Sequence, residues 1–125
     1  MKLNPECVRD ILFSVEENTG YDIYLDYPKE IDKCPLLKTY KDDEIRYHFF
    51  QCAKAGLIEI QRADLADNLA IRDLTPKGHE LLANIRSDKV WVKTKHVASS
   101  IGSMSLDFLS KIAANVLSEL IKQNM

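Results

Sequence analysis

Apolar positions run through this chain with a helical period at both ends and a strand period between them. Val8, Ile11, Leu12 and Val15 share one face of a helix that Asn4 caps, Pro5 begins and Glu6 favours at the positive end of its dipole. The spacing predicts a helix over 5–18, with Gly20 as its stop. From Tyr21 to Tyr27, aromatic and β-branched residues mix with alternating acids, which suits a strand or an extended arm. Pro28 and Pro35 break any longer element, and a short strand is expected near Leu36 to Tyr40. Asp42, Asp43 and Glu44 belong at a helix N-terminus; Ile45, His48, Phe49 and Cys52 then follow on one face, widened by Phe50 and Ala53, before Gly56 ends the helix.

Leu57 to Gln61 alternates as a half-buried strand, Arg62 to Asn68 is polar, and Leu69 to Arg72 reads as a second strand. Together they predict a β-hairpin with a long tip. Thr75-Pro76 caps and begins a third helix, with Leu81, Leu82 and Ile85 inward. Ser87-Asp88 offers a fresh cap. Val90, Val92 and Val97 fit either period, and the helical flanks favour a helix closed by Gly102. Ser105 caps a last helix over 106–122, whose inward stripe is Leu109, Ile112, Ala113, Val116, Leu117, Leu120 and Ile121. The expected class is α+β and mostly helical: helix, helix, β-hairpin, helix, then a C-terminal helical extension. Residues 1–86 form the core of this single domain and 87–125 the extension, packed on the core or forming a dimer interface.

Length and composition add bounds. The chain has 125 residues, 46% of them hydrophobic and 29% charged, which excludes an intrinsically disordered protein and suits one compact domain. No apolar run approaches the ~20 residues of a bilayer span, and residues 1–6 lack a signal-peptide pattern, so no membrane association and a cytoplasmic location are expected. Seventeen Lys and Arg face nineteen Asp and Glu, a net charge of −2. Residues 1–40 carry five positive and eight negative side chains, or −3; residues 87–125 carry five and three, or +2. A domain that holds DNA mainly through phosphates is usually basic on one face, and this balance does not favour it. Cys7, Cys34 and Cys52 are odd in number and contain no C-x-x-C pair, so buried reduced thiols are expected.

Two short stretches carry a resemblance. Ala55-Gly56-Leu57-Ile58 and Leu74-Thr75-Pro76-Lys77-Gly78 are similar to the matching parts of MarR-like and PadR-like winged helix-turn-helix domains. Across nearly the whole chain, Met1-Lys2-Leu3, Val8-Arg9-Asp10-Ile11-Leu12, Tyr47-His48, Gly78-His79-Glu80-Leu81-Leu82, Ile85-Arg86 and Val90-Trp91 resemble an uncharacterised family of small proteins common in bacterial prophages. The resemblance implies a winged-helix-like core and a phage or prophage setting, and it brings no catalytic residues.

On that reading residues 42–55 are the candidate recognition helix, and 57–72 the wing. Possible nucleic-acid contacts are Arg46, Gln51 and Lys54 on the helix, with Arg62 and Arg72 on the wing. Asp42, Asp43 and Glu44 oppose duplex docking where the helix would meet the groove, as do Asp64 and Asp67 at the tip. His48 and Cys52 have metal-ligand spacing, but a core histidine outweighs a zinc ligand. His79-Glu80 reads as packing and dipole compensation before acid–base chemistry. Trp91 with Lys93, Lys95 and His96 forms the most basic local cluster, in which Trp91, Lys93 and Lys95 are possible partner contacts, although packing of the indole against the domain outweighs that reading. No nucleophile motif or phosphate-cradling glycine loop occurs, so catalytic residues, cofactor and metal are all expected to be none. The leading expectation is a non-enzymatic binding module with a protein partner. DNA-binding regulation through 42–55 and the wing is the alternative, and the last helix is a candidate homodimer surface.

Overall fold

The computed structural model describes residues 1–102 and 105–124. Among the described residues the chain forms five α-helices and one small antiparallel sheet: α1 (Pro5–Asn18), β1 (Leu25–Tyr27), α2 (Asp42–Lys54), β2 (Ile58–Ala63), β3 (Leu69–Leu74), α3 (Pro76–Ile85), α4 (Asp88–Ile101) and α5 (Leu106–Gln123). The architecture is therefore α+β and mostly helical, with the expected β2–β3 hairpin. Two compact units divide the chain, Met1–Gly78 and His79–Met125.

In the first unit, the sheet order is β1-β3-β2. Leu25 pairs with Ile71 and Tyr27 with Leu69, and all four are buried on the core side. The β2–β3 ladder shifts register twice. Arg72 is an extra residue on β3 and Gln61 an extra residue on β2, so the two irregularities compensate and restore the pairing at Arg62 and Ala70. Outside β1 the edge is closed by the chain itself. The Asp26 amide donates to Glu30 Oε1 at 2.8 Å, and the Glu30 amide donates to the Asp26 carbonyl at 2.8 Å. The strand expected near Leu36 to Tyr40 is instead a 3₁₀ helix, Pro35–Thr39, preceded by another, Ile31–Lys33. Pro35 starts that turn, Leu37 alone is buried in it, and no neighbouring strand edge is offered to it.

α1 is capped as its sequence implies, with Asn4 Oδ1 accepting from the Glu6 amide at 3.0 Å. The Asn4 amide does a second job. It donates to His48 Nε2 at 2.8 Å and so ties the start of α1 to the buried face of α2. A backbone N–H can only donate, so Nε2 holds the lone pair and Nδ1–H donates to the Glu44 carbonyl, 2.8 Å away. His48 is fully buried and both of its nitrogens are engaged, which leaves none to bind a metal.

The two stretches singled out in the sequence meet as one joint. α2 closes in a Schellman motif: the Leu57 amide reaches the Cys52 carbonyl at 2.9 Å, and the Gly56 amide reaches Ala53 at 3.0 Å. Gly56 sits at φ +76°. The Thr75 amide then donates to the Leu57 carbonyl at 3.0 Å, its hydroxyl to the Gly56 carbonyl, and Lys77 Nζ to Ala55 at 3.2 Å. Thr75 Oγ1 also caps α3, accepting from the Gly78 amide at 3.0 Å. A Cβ at Gly78 would lie 1.9 Å from the Leu57 carbonyl oxygen. Only glycine lets the first turn of α3 approach that backbone.

In the second unit α4 and α5 pack together, the start of α4 lying beside the end of α5. Ser87 and Ser105 cap them as expected, and residues 89–97 are helical. Of the stripe expected on α5, Leu109, Ile112, Ala113, Val116 and Leu120 are buried and Leu106 joins them, whereas Leu117 is half-buried and Ile121 is 53% exposed. Phe50, expected to widen the buried face of α2, is likewise exposed.

Gly78→Ala should cost about 3 kcal/mol or more, since a backbone carbonyl cannot yield as a side chain can. Gly56→Ala should cost only about 1–2 kcal/mol, the left-handed penalty with open space around it. Urea unfolding followed by circular dichroism measures both, and the expected order is the reverse of what φ alone suggests.

Candidate binding surfaces

The cations proposed for nucleic acid do not form one free surface. Arg46 points back into the molecule. Its Nε donates to Asp42 Oδ2 at 2.9 Å, its Nη1 to the Asp67 carbonyl, and its guanidinium lies 5.1 Å from the centroid of the Tyr27 ring. Tyr27 in turn donates its hydroxyl to Asp42 Oδ1 at 2.5 Å. One arginine thus clamps α2, β1 and the hairpin tip together. The Tyr27 hydroxyl and then Arg46 hold the Asp42 carboxyl below the usual range, while burial and then Asp42 push the Tyr27 phenol up.

The other candidates are scattered. Gln51 is half-buried and Lys54 is exposed at the end of α2. Arg72 lies at the β3 irregularity, Nη1 3.5 Å from Gln61 Oε1 and Nε 4.0 Å from Glu59. Arg62 lines a polar cleft of about 270 Å³ with Asp26, Lys29 and Asp64, so carboxylates share its surroundings. At the hairpin tip Asp64 Oδ1 accepts from the Ala66 and Asn68 amides at 2.9 Å, and these bonds with Asn68 lower its pKa. The tip presents the side chain of Leu65 in full.

A surface the sequence pattern does not isolate lies between α1 and β1. The Gly20 amide donates to Ile23 O and the Ile23 amide to Gly20 O, both at 3.1 Å, so Tyr21 and Asp22 form a two-residue turn. Asp22 takes φ +59°, which an aspartate tolerates. The base of the turn is pinned. Asn18 Nδ2 donates to the Ser14 and Lys33 carbonyls at 2.8 and 3.0 Å, and the Thr19 hydroxyl lies 2.6 Å from Val15 O and 3.2 Å from Asp73 Oδ1. The result displays Tyr21 at 93% exposure, Ile23 at 61% and Tyr24 at 36%. The alternation of residues 21–27 suggests a strand; a turn with αL aspartate could have been read from Gly20 and Asp22.

Of the C-terminal cluster, Trp91 is 2% exposed with Lys95 Nζ 5.4 Å from its ring centroid. An indole so buried cannot receive a partner while α4 stays packed, which corrects its place among the partner contacts; Lys93 remains exposed. The α5 stripe is covered within the chain, so a homodimer through that stripe would first have to uncover it.

The thiols are buried. Burial, then Glu44 and Asp10, pushes Cys7 up to about 12, and burial also raises Cys34 and Cys52. Among the described residues, no group of three or more His, Cys, Asp or Glu could hold a metal ion, and no helix is long and apolar enough to cross a membrane.

These features define a small α+β protein whose hairpin is clamped onto its second helix. Residues 2–105 match the model of the family described as hypothetical protein (DUF2513), and the chain belongs to that family. An uncharacterized protein of Haemophilus influenzae is 37% identical over 86 residues, which cover 66% of this chain and 72% of the relative. No solved structure matches the chain.

Arg46→Ala should lower stability by about 1 kcal/mol, a partly exposed ion pair with a stacked ring. The folded-state pKa of Asp42 lies below its unfolded value, so its contribution is present above that unfolded value and is lost as pH falls through the folded one. Asp42→Asn should therefore flatten that part of the acid unfolding curve. A thiol-specific disulfide reagent at neutral pH should leave Cys7, Cys34 and Cys52 unmodified in the native protein and titrate all three after denaturation.

Proposed function

We propose that this chain is a non-enzymatic binding module, winged-helix-like in its first unit, that works through protein contacts. The observation that carries the reading is the pinned turn at Tyr21–Ile23. Tyrosine supplies large contact area at low conformational cost, and a turn already ordered before binding has little entropy left to lose. The order of helix, hairpin and helix, joined at Leu57 and Gly78, supports the winged-helix-like description. The prophage setting rests on the sequence resemblance alone.

Charge speaks against the duplex alternative. The one arginine of α2 turns back onto the molecule and pairs with Asp42, and Asp43 and Glu44 stand beside Asp42 in the first turn. Lys54, Arg62 and Arg72 are the remaining exposed candidates on α2 and the hairpin, and acids accompany both arginines.

The test is affinity capture from a bacterial lysate at high ionic strength, with the full chain and its Tyr21→Ser/Ile23→Ser variant as baits. A partner held by the first and lost by the second, at unchanged melting temperature, is the expected result. A labelled duplex bound at low salt, with an affinity that falls steeply as salt rises, would replace this reading with DNA regulation. Capture unaffected by the two substitutions would remove the turn as the contact.

A further inference from the structure

We propose that the α4–α5 pair carries a docking trough for an amphipathic helix with acidic flanks, supplied by a different protein. The trough has a volume of about 690 Å³ and lies between the start of α4 and the end of α5. Its apolar part is Val92, 61% exposed, over a floor to which the buried Leu120 contributes. Lys89, Lys93 and His96 line it from α4. These positions, with Val92, are i, i+3, i+4 and i+7 of one helix, so they form a single face. An apolar strip beside a row of basic groups is the complement of a helix whose Leu-type anchors recur at the same spacing between carboxylates.

The charges are available. Among the described residues neither Lys89 nor Lys93 has an ion-pair partner. Asp88 also lines the trough, but it stands in the first turn of α4, where it favours the helix dipole. Two unpaired lysines on one face repel each other, and an incoming carboxylate relieves that repulsion while steering the approach.

The same argument selects the occupant. A second copy meeting this face with its own α4 would set lysines against lysines. A second copy offering α5 brings Asp107 and Glu119, which are already paired with Lys111 at 3.2 Å and Lys122 at 3.9 Å. The acid-bearing helices α1 and α2 of a second copy have their apolar stripes buried in their own unit, Val8, Ile11, Leu12 and Val15 on one and Ile45 and Phe49 on the other, so a helix offering anchors and acids together must come from another protein. This surface shares no residue with the Tyr21 turn, so either proposal can fail without the other.

The probe is a fluorescein-labelled synthetic helix with leucines at i, i+3, i+4 and i+7 and glutamates flanking them, titrated into the full chain and followed by anisotropy. A control peptide carries lysines in place of the glutamates. The expected result is one-to-one binding of the acidic peptide alone. Val92→Ser, and separately Lys89→Glu/Lys93→Glu, should each weaken it by about tenfold or more. The charge-reversed variant should in turn take up the lysine peptide, a gain that misfolding cannot produce. Binding of neither peptide, equal binding of both, displacement of the acidic peptide by duplex DNA, or a sedimentation-defined dimer broken by Val92→Ser would each overturn the proposal.

Discussion

The carbonyl of Leu57 is the point on which the first unit turns. It accepts from the Thr75 amide, and its oxygen occupies the space that any side chain at Gly78 would need. Around it, the end of α2, the start of β2 and the first turn of α3 are held within van der Waals distance, with Thr75 satisfying backbone groups on both sides. Such a joint places the hairpin at one angle to α2. It explains why two ordinary-looking stretches, Ala55 to Ile58 and Leu74 to Gly78, matter as a pair: each supplies half of the same set of hydrogen bonds.

A second constraint depends on the first. With the hairpin fixed, its tip lies close enough to α2 for Arg46 to reach the Asp67 carbonyl while stacking on Tyr27 and pairing with Asp42. An arginine on a polar helix face is ordinarily counted as outward charge. Here Asp42 in the first turn of α2 serves two ends, compensating the helix dipole and holding that arginine inward.

Most of the helical architecture was legible because helix signals are local. Asn4-Pro5, Ser87 and Ser105 are caps within a few residues of the pattern they begin, and Gly56 and Gly102 close helices in left-handed geometry. Residues 21–40 were less legible, because β1 exists through pairing with β3, some 45 positions away, and the 3₁₀ turns after it follow from packing of Leu37 and not from a period. The candidate surfaces divide the same way. His48 as a core residue was foreseeable from its apolar face. The inward turn of Arg46 and the outward turn of Ile121 depend on contacts between elements that no single window contains.

The loop that follows β1 has one more consequence. With the amide and carbonyl of Asp26 both engaged by Glu30, that side of the sheet has no open hydrogen-bonding row to template another chain. Growth by strand addition, the common route from a small exposed sheet to fibres, is blocked there by the turn from Pro28 to Glu30 of the protein itself. The chain can therefore expose tyrosines and isoleucine right beside a sheet margin without inviting edge-to-edge stacking along it.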